Sequence, residues 1–297
     1  MCACLMLPQC RPNAGCTVAV VSLWTDLLGA QVRCTGTKYR TRAIECGDGP
    51  PLVLLHGGGG HAEAFAKNVV RLGRHFRVLA IDMLWHGLSS KPPFPGKALP
   101  AYGEQVLDVL DSLGLDRAHV EGEAIGGRVA LWLGIHQPSR VNKLVLNNTG
   151  GVRFTSQLED RDATRAQYQQ SASAAIETTS RETVRARMLR LFLDPNQLTD
   201  ELVDVRYRFY SDPETNRAQA AIRMEADFEE DEVHSISAPA LVLSSDSNPL
   251  RGPDAGKRLA NLLPNGRFEL VRGSTIWLQW EQAELHDRLV TEFLLEG

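Results

Sequence analysis

The sequence predicts an α/β protein: a mostly parallel sheet of eight strands with helices on both faces. Three observations predict it. From about Ser22 onward, short β-branched apolar runs alternate with helical patterns. Runs such as Leu52-Val53-Leu54-Leu55 and Leu241-Val242-Leu243 are continuously apolar, as strands covered on both faces must be. One long, polar, helical stretch, from about Gly151 to Ser237, breaks the alternation once.

The elements follow in order. Gln31 to Cys34 and Arg40 to Glu45 read as an opening antiparallel pair, and Leu52 to Leu55, Arg77 to Ile81, Ala118 to Glu121 and Lys143 to Asn147 read as buried strands. Ala240 to Ser244 and Arg267 to Val271 complete the eight. Helical spacing fills the gaps at Ala62 to Arg71, Ala101 to Leu113, Gly127 to His136, Pro253 to Leu262 and Glu284 to Leu295. The interrupting stretch carries helical patterns at Arg185 to Leu193, Thr199 to Tyr210 and Asn216 to Ala226, without a convincing strand. We read 151–237 as a helical cap inserted in a core made of 21–150 and 238–297, enclosing a pocket and excluding water.

Composition narrows the function classes. The 297 residues suffice for a large core, and the formal charge of −4, from 32 basic and 36 acidic residues, lacks the positive footprint that nucleic acid requires. No apolar run approaches the roughly 20 residues that cross a bilayer, so no membrane partner is expected. Of the six cysteines, Cys2, Cys4, Cys10 and Cys16 lie in the first sixteen residues, leaving Cys34 and Cys46 for the rest, which is no disulfide framework. With Pro8, Gln9, Arg11 and Pro12 where a secretory signal needs a clean apolar stretch, 1–20 reads as a disordered extension or as a start placed too far upstream, and the expected compartment is the cytoplasm. The cysteine spacings match no zinc pattern and no dinucleotide fingerprint is present. Gly57 to Gly60 lacks the Lys-Ser/Thr ending of a phosphate loop, so no metal or cofactor is expected.

Four segments carry a resemblance. Leu55-His56-Gly57-Gly58-Gly59-Gly60, Ile81-Asp82-Met83-Leu84-Trp85-His86-Gly87-Leu88-Ser89, Gly122-Glu123-Ala124-Ile125-Gly126-Gly127 and Trp277-Leu278-Gln279-Trp280-Glu281 follow strands or close the chain in a set order. Together they resemble the α/β-hydrolase fold, and most of all the carbon–carbon bond hydrolases that cleave ring-fission products of aromatic catabolism. The resemblance runs from about Trp24 to Leu294.

It implies a serine at the centre of a G-x-S-x-G elbow, an acid after the seventh strand and a histidine before the Trp-x-Gln-Trp-Glu segment. Ala124, Asn248 and Ile276 hold those three places. The neighbours Asp246, Ser274 and Thr275 supply no imidazole. His56 and His86 belong to loop motifs that are structural in this fold, while His61 lies near the mouth by position. His61, His75, His119, His136, His234 and His286 read as solvent-facing or packing residues.

What remains is a pocket. The resemblance implies that the backbone amides of Gly58 and Ile125 hold an oxygen that gains negative charge, and that Arg206 anchors a carboxylate, enolate or polarised carbonyl. A surface ion pair of Arg206 with Glu201 or Asp204 is the plain alternative. Trp277 reads as an aromatic wall and Trp280 as core, with Ala124, Asn248 and Ile276 lining the same space. Glu123 is unexpected beside the elbow: buried there, its pKa rises and it becomes a candidate general acid or base, unless it pairs with Arg128 or faces solvent.

The expectation from these losses is a non-hydrolytic enzyme. It would be a cyclase, lyase or isomerase acting on a hydrophobic carbonyl- or carboxylate-bearing metabolite of natural-product metabolism, by shape, water exclusion and hydrogen bonding. The alternatives are a hydrolase of C–C or ester bonds with an atypical base, and a non-catalytic ligand-binding pseudo-hydrolase. The expected partner is a small-molecule substrate, and a homodimer is compatible with the fold.

Overall fold

The apolar runs assemble one eight-stranded sheet in a computed structural model that describes residues 22–154, 162–224 and 227–296. The cysteine-rich head and the 1–20 extension fall outside the described residues. The strands are β1 (Gln31–Thr35), β2 (Thr41–Cys46), β3 (Pro51–Leu55), β4 (Arg77–Ile81), β5 (Ala118–Glu123) and β6 (Val141–Asn147), then, after two short strands described below, β9 (Ala240–Ser245) and β10 (Gly266–Val271). Their order is β1-β2-β4-β3-β5-β6-β9-β10. Only β2 runs against its neighbours, pairing antiparallel with β1 and with β4. The other pairs are parallel, which is why β3 and β9 are buried along nearly their whole length.

The helices are α1 (Leu23–Asp26), α2 (Ala66–Leu72), α3 (Ala98–Ser112), α4 (Ile125–His136), α5 (Asp162–Glu177), α6 (Arg181–Leu189), α7 (Asp200–Ser211), α8 (Pro213–Ala221), α9 (Glu230–His234), α10 (Pro253–Leu262), α11 (Leu278–Glu281) and α12 (Ala283–Leu295). Several differ from the sequence expectation, and three of these differences have reasons in the first turn. The helix expected from Ala62 opens as a 3-10 turn over Ala62–Phe65 before α2. α6 starts earlier than expected, because Ser180 and Thr183 form a reciprocal capping box. α8 also starts earlier, with Asp212 capping the Thr215 amide and Pro213 in the first turn.

Helices α5 to α8 leave the sheet after β6 and return before β9. The stretch was expected to hold no strand; its two ends instead pair as β7 (Val152–Arg153) and β8 (Phe228–Glu229), a two-residue parallel contact that brings the exit and return together. Among the contacts that tie the inserted helices to the core, Tyr210 Oη donates to the Gly59 carbonyl at 2.9 Å, and the Trp277 amide donates to the Leu191 carbonyl at 3.2 Å. No helix among the described residues is long and apolar enough to cross a membrane.

A charged cluster lies inside the core beneath β5. His286 on α12 bonds Glu121 through Nε2 at 2.8 Å and Asp287 through Nδ1 at 2.9 Å, while Asn147 and Asn68 donate to the same two carboxylates. His286 is thus neither solvent-facing nor a neutral packing residue. Burial alone would lower its pKa, but Glu121 and Asp287 outweigh that and push it up to about 10. Removing the imidazole leaves Glu121 buried and unpaired, so His286→Leu is expected to cost about 3–5 kcal/mol in urea denaturation at neutral pH. Because the folded pKa exceeds the unfolded value of 6.5, this stabilisation is full below about pH 6.5 and is lost as pH rises towards 10. The gap between wild type and variant therefore narrows over that window, and a pH-independent gap contradicts the assignment.

Candidate active site

The site forms where β3 and β5 end side by side, Leu55 paired with Gly122. Chains that reach the carboxyl edge of a parallel sheet must turn sharply into the next element, and this edge is where ligands bind in such folds. At β5 the turn is made by Ala124, with φ 49° and ψ −103°, a left-handed conformation that costs a non-glycine residue energy. Its neighbours have to be small. A Cβ on Gly122 would overlap the Gly126 backbone, and one on Gly126 would overlap the Leu55 carbonyl. α4 therefore starts directly at Ile125, two residues before the sequence expectation.

A cavity of about 270 Å³ opens above this elbow, lined by Gly57, Gly58, Glu123, Ala124 and Ile125 from the core side and by Arg187 and Arg206 from the inserted helices, with Ile276 and Trp277 closing it. A second space of about 560 Å³ adjoins it across Gly58, Ile125, Tyr168 and Arg187, walled by Tyr102, Ile176, Ile222 and Met224. The Gly58 and Ile125 amides donate no hydrogen bond among the described residues. Ile125 heads α4, so its N–H is one of the helix's unsatisfied first-turn donors.

Glu123 is 2% exposed and lines the cavity, its carboxyl packed so closely on Gly57 that a Cβ there would overlap it. It neither faces solvent nor takes Arg128 as its ion-pair partner, since Arg128 pairs with Asp227 at 3.6 Å. Burial raises its pKa to about 7, against the lowering pull of the Gly57 backbone and of Arg206 and Arg187.

Arg206 is 1% exposed, and its Nε and Nη2 have no partner among the described residues. The surface ion pair with Glu201 or Asp204 does not form. Glu201 accepts from Ser22 Oγ and the Leu23 amide, and Asp204 pairs with Arg181. The faces of Trp277 and Tyr210 lie 5.6 and 5.8 Å from the Arg206 guanidinium.

The three places the resemblance marks are filled as the sequence says, and not all of them meet. Ala124 and Ile276 line the cavity; Asn248 does not, because its Oδ1 turns back to accept from the Leu250 and Arg251 amides. Asp246 is exposed and holds the Gly273 and Ser274 amides, while Ser274 and Thr275 donate to Val271 and Ser247 carbonyls. Trp277 forms a cavity wall, and Trp280 packs in the core beside it and Phe192.

The loop histidines are held structurally. His56 donates to the Gly57 carbonyl and accepts from the Met83 amide. His86 borders the larger space, but it donates to the Leu84 carbonyl, accepts from the Gly59 amide and has its pKa lowered to about 4, chiefly by burial. His61 does not reach the mouth; it is fully buried against Phe209 and bonded to Glu63.

Sequence reading missed Arg187. No motif marks it, and the available signal is register: three residues after buried Val184 and four before buried Leu191, it sits on the inward face of its helix.

The raised pKa of Glu123 has a stability signature. For a carboxyl whose folded pKa lies above its unfolded 4.5, the neutral form is the one the fold tolerates, so stability is lost as pH climbs through about 7. Glu123→Gln escapes that loss. Its stability relative to wild type is expected to rise between about pH 4.5 and 7 by on the order of 3 kcal/mol, read from urea midpoints at each pH. A flat difference places the carboxyl in water.

The family model described as alpha/beta hydrolase fold matches residues 50–283. The chain is 29% identical over 283 residues to a 2-hydroxymuconate semialdehyde hydrolase of Pseudomonas putida, covering 91% of this chain and 95% of that one. It is 30% identical over 271 residues to a 2-hydroxy-6-oxononadienedioate/2-hydroxy-6-oxononatrienedioate hydrolase of Burkholderia vietnamiensis (strain G4 / LMG 22486), covering 87% and 92%. Among solved structures, the 2-hydroxy-6-oxo-6-phenylhexa-2,4-dienoate hydrolase of Rhodococcus sp. strain RHA1 superposes with a TM-score of 0.78 at 21% identity, over 90% of this chain and 100% of that one. These names correct the expectation of a non-hydrolytic cyclase, lyase or isomerase of natural-product metabolism, and with it the pseudo-hydrolase alternative. The relatives are named hydrolases, which favours the hydrolytic alternative with an atypical base. Loss of the covalent serine route is not loss of hydrolysis, since a buried carboxylate can still take a proton from water.

Proposed function

The chain belongs to the alpha/beta hydrolase fold family, and on that premise we propose that it hydrolyses a C–C or ester bond next to a carbonyl in a small acid, with Glu123 as its base. The observation that carries this reading is the Glu123 carboxyl, buried on the wall of the cavity above the elbow with its pKa lifted to about 7. A base near neutrality is present in its ionised form and still strong enough to accept a proton.

Ala124 offers no nucleophile, so the attacking group is water. Glu123 takes a proton from that water as its oxygen bonds to the carbonyl carbon. The carbonyl oxygen gains the negative charge, and the Gly58 and Ile125 amides stabilise it. When the tetrahedral species collapses, the C–C or C–O bond breaks, and the departing carbon or oxygen receives the proton back from Glu123. The products are a new carboxylic acid and a protonated leaving fragment, with no cofactor consumed. Arg206 holds the acidic end of the substrate and fixes the carbonyl over the elbow. The names of the relatives support carbonyl-bearing dienoic acids as the substrate class. In this reading the inserted helices act as a cap that keeps bulk water out, and the enzyme works in the cytoplasm on a small-molecule substrate.

The test is hydrolysis of vinylogous 2-hydroxy-6-oxo-dienoic acids and acid-bearing esters in ¹⁸O-water. Wild type is expected to place the label in the new carboxylate, with kcat/KM rising with pH through an apparent pKa of about 7. Glu123→Gln is expected to lower the rate by about 10²-fold or more. Full activity in that variant, or a stoichiometric adduct with a serine-directed phosphonate, overturns the proposal.

A further inference from the structure

Two guanidinium groups, not one, border the same small cavity, and neither has an anionic partner. Arg206 comes from α7 and lines the space above the elbow, while Arg187 comes from α6 and lines both that space and the larger one beside it. Arg187 Nη1 is buried with no hydrogen-bond partner, as are Arg206 Nε and Nη2, and neither arginine forms a salt bridge among the described residues. Glu123, on the same cavity wall, forms no ion pair with either of them among the described residues.

Buried cations without partners are expensive, and a fold keeps them where a ligand completes them. Here the surroundings soften the cost without removing it. The Tyr168 ring faces Arg187 at 5.7 Å, as Tyr210 and Trp277 face Arg206. Each arginine also disfavours the other's charge, which a single anionic group on one of them leaves half relieved.

We propose that Arg187 is a specificity-determining residue that takes a second acidic group, so that this site selects organic dianions, dicarboxylates above all, over monoanions. One carboxylate meets Arg206 in the smaller space; the other meets Arg187 at the junction, from where the rest of the molecule extends along the apolar wall of Ile176, Ile222 and Met224. The inference rests on the reading in which Arg206 holds an acidic end, and it adds the count and placement of charge.

The experiment is calorimetric titration of the full chain with a series of linear dicarboxylates and with the monocarboxylates of the same length, using wild type, Arg187→Met, Arg187→Lys and Arg206→Met. Circular dichroism and thermal melting establish that each variant is folded. In wild type the best dicarboxylate is expected to bind at least tenfold more tightly than its monocarboxylate, the scale of one charge-assisted contact. Arg187→Met is expected to remove that preference while leaving the monocarboxylate's affinity within about twofold. Arg187→Lys keeps the charge and retains part of the preference, and Arg206→Met weakens both ligand types. An unchanged preference in Arg187→Met overturns the inference alone. Undiminished binding of both types in Arg206→Met instead overturns the underlying reading of the acid end.

Discussion

The geometry of this protein depends on one strained turn. β5 has to deliver the chain into α4 within a single residue, and the left-handed Ala124 does so only because Gly122 and Gly126 leave room for the helix start to press against the adjoining strand ends. That turn leaves the Ile125 amide unengaged at the helix start, brings Glu123 against Gly57, and places both under the inserted helices. None of this requires a hydroxyl on the turning residue. The elbow holds with alanine at its centre because its shape is set by backbone and glycine packing, and the residue before it, Glu123, brings a buried carboxyl to the cavity wall.

Electrostatics then decide what kind of pocket this is. Its walls are mostly apolar, so a charge on them is unscreened and its neighbours matter. Glu123 is held near neutrality by burial opposed by two arginines, whereas His86, bordering the same region, is driven to a low pKa and has both ring nitrogens occupied. His286, kept strongly basic, lies in the core, held by Glu121 and Asp287, where it braces β5 and α12. The candidate proton-handling carboxyl, Glu123, and the structure-holding one, Glu121, thus sit two residues apart on the same strand.

The fold was legible in the sequence because strand burial on both faces leaves continuous apolar runs, and all eight were found within one or two residues of their ends. Glu123 and Arg206 were legible from their places in motifs. Arg187 was not, since its meaning comes from how α6 docks over the sheet and a helical arginine carries no mark of that. Asn248 shows the converse: its place in the motif puts it in the pocket, but a short polar side chain finds nearer amides in its own loop. The histidines misled for a related reason, as His61 and His286 are paired by carboxylates distant in sequence or buried beside them.

On the proposed mechanism, the proton acceptor is a carboxyl group poised near neutral pH. Isotope-edited infrared titration of the protein with ¹³C-labelled glutamate, taking the Glu123→Gln variant as the difference reference, reads that group directly. A carboxyl band that converts to carboxylate with a midpoint near pH 7, and at higher pH when Arg187 and Arg206 are both replaced by methionine, is the predicted result. A Glu123 that is fully ionised by pH 5, or still protonated at pH 9, contradicts it.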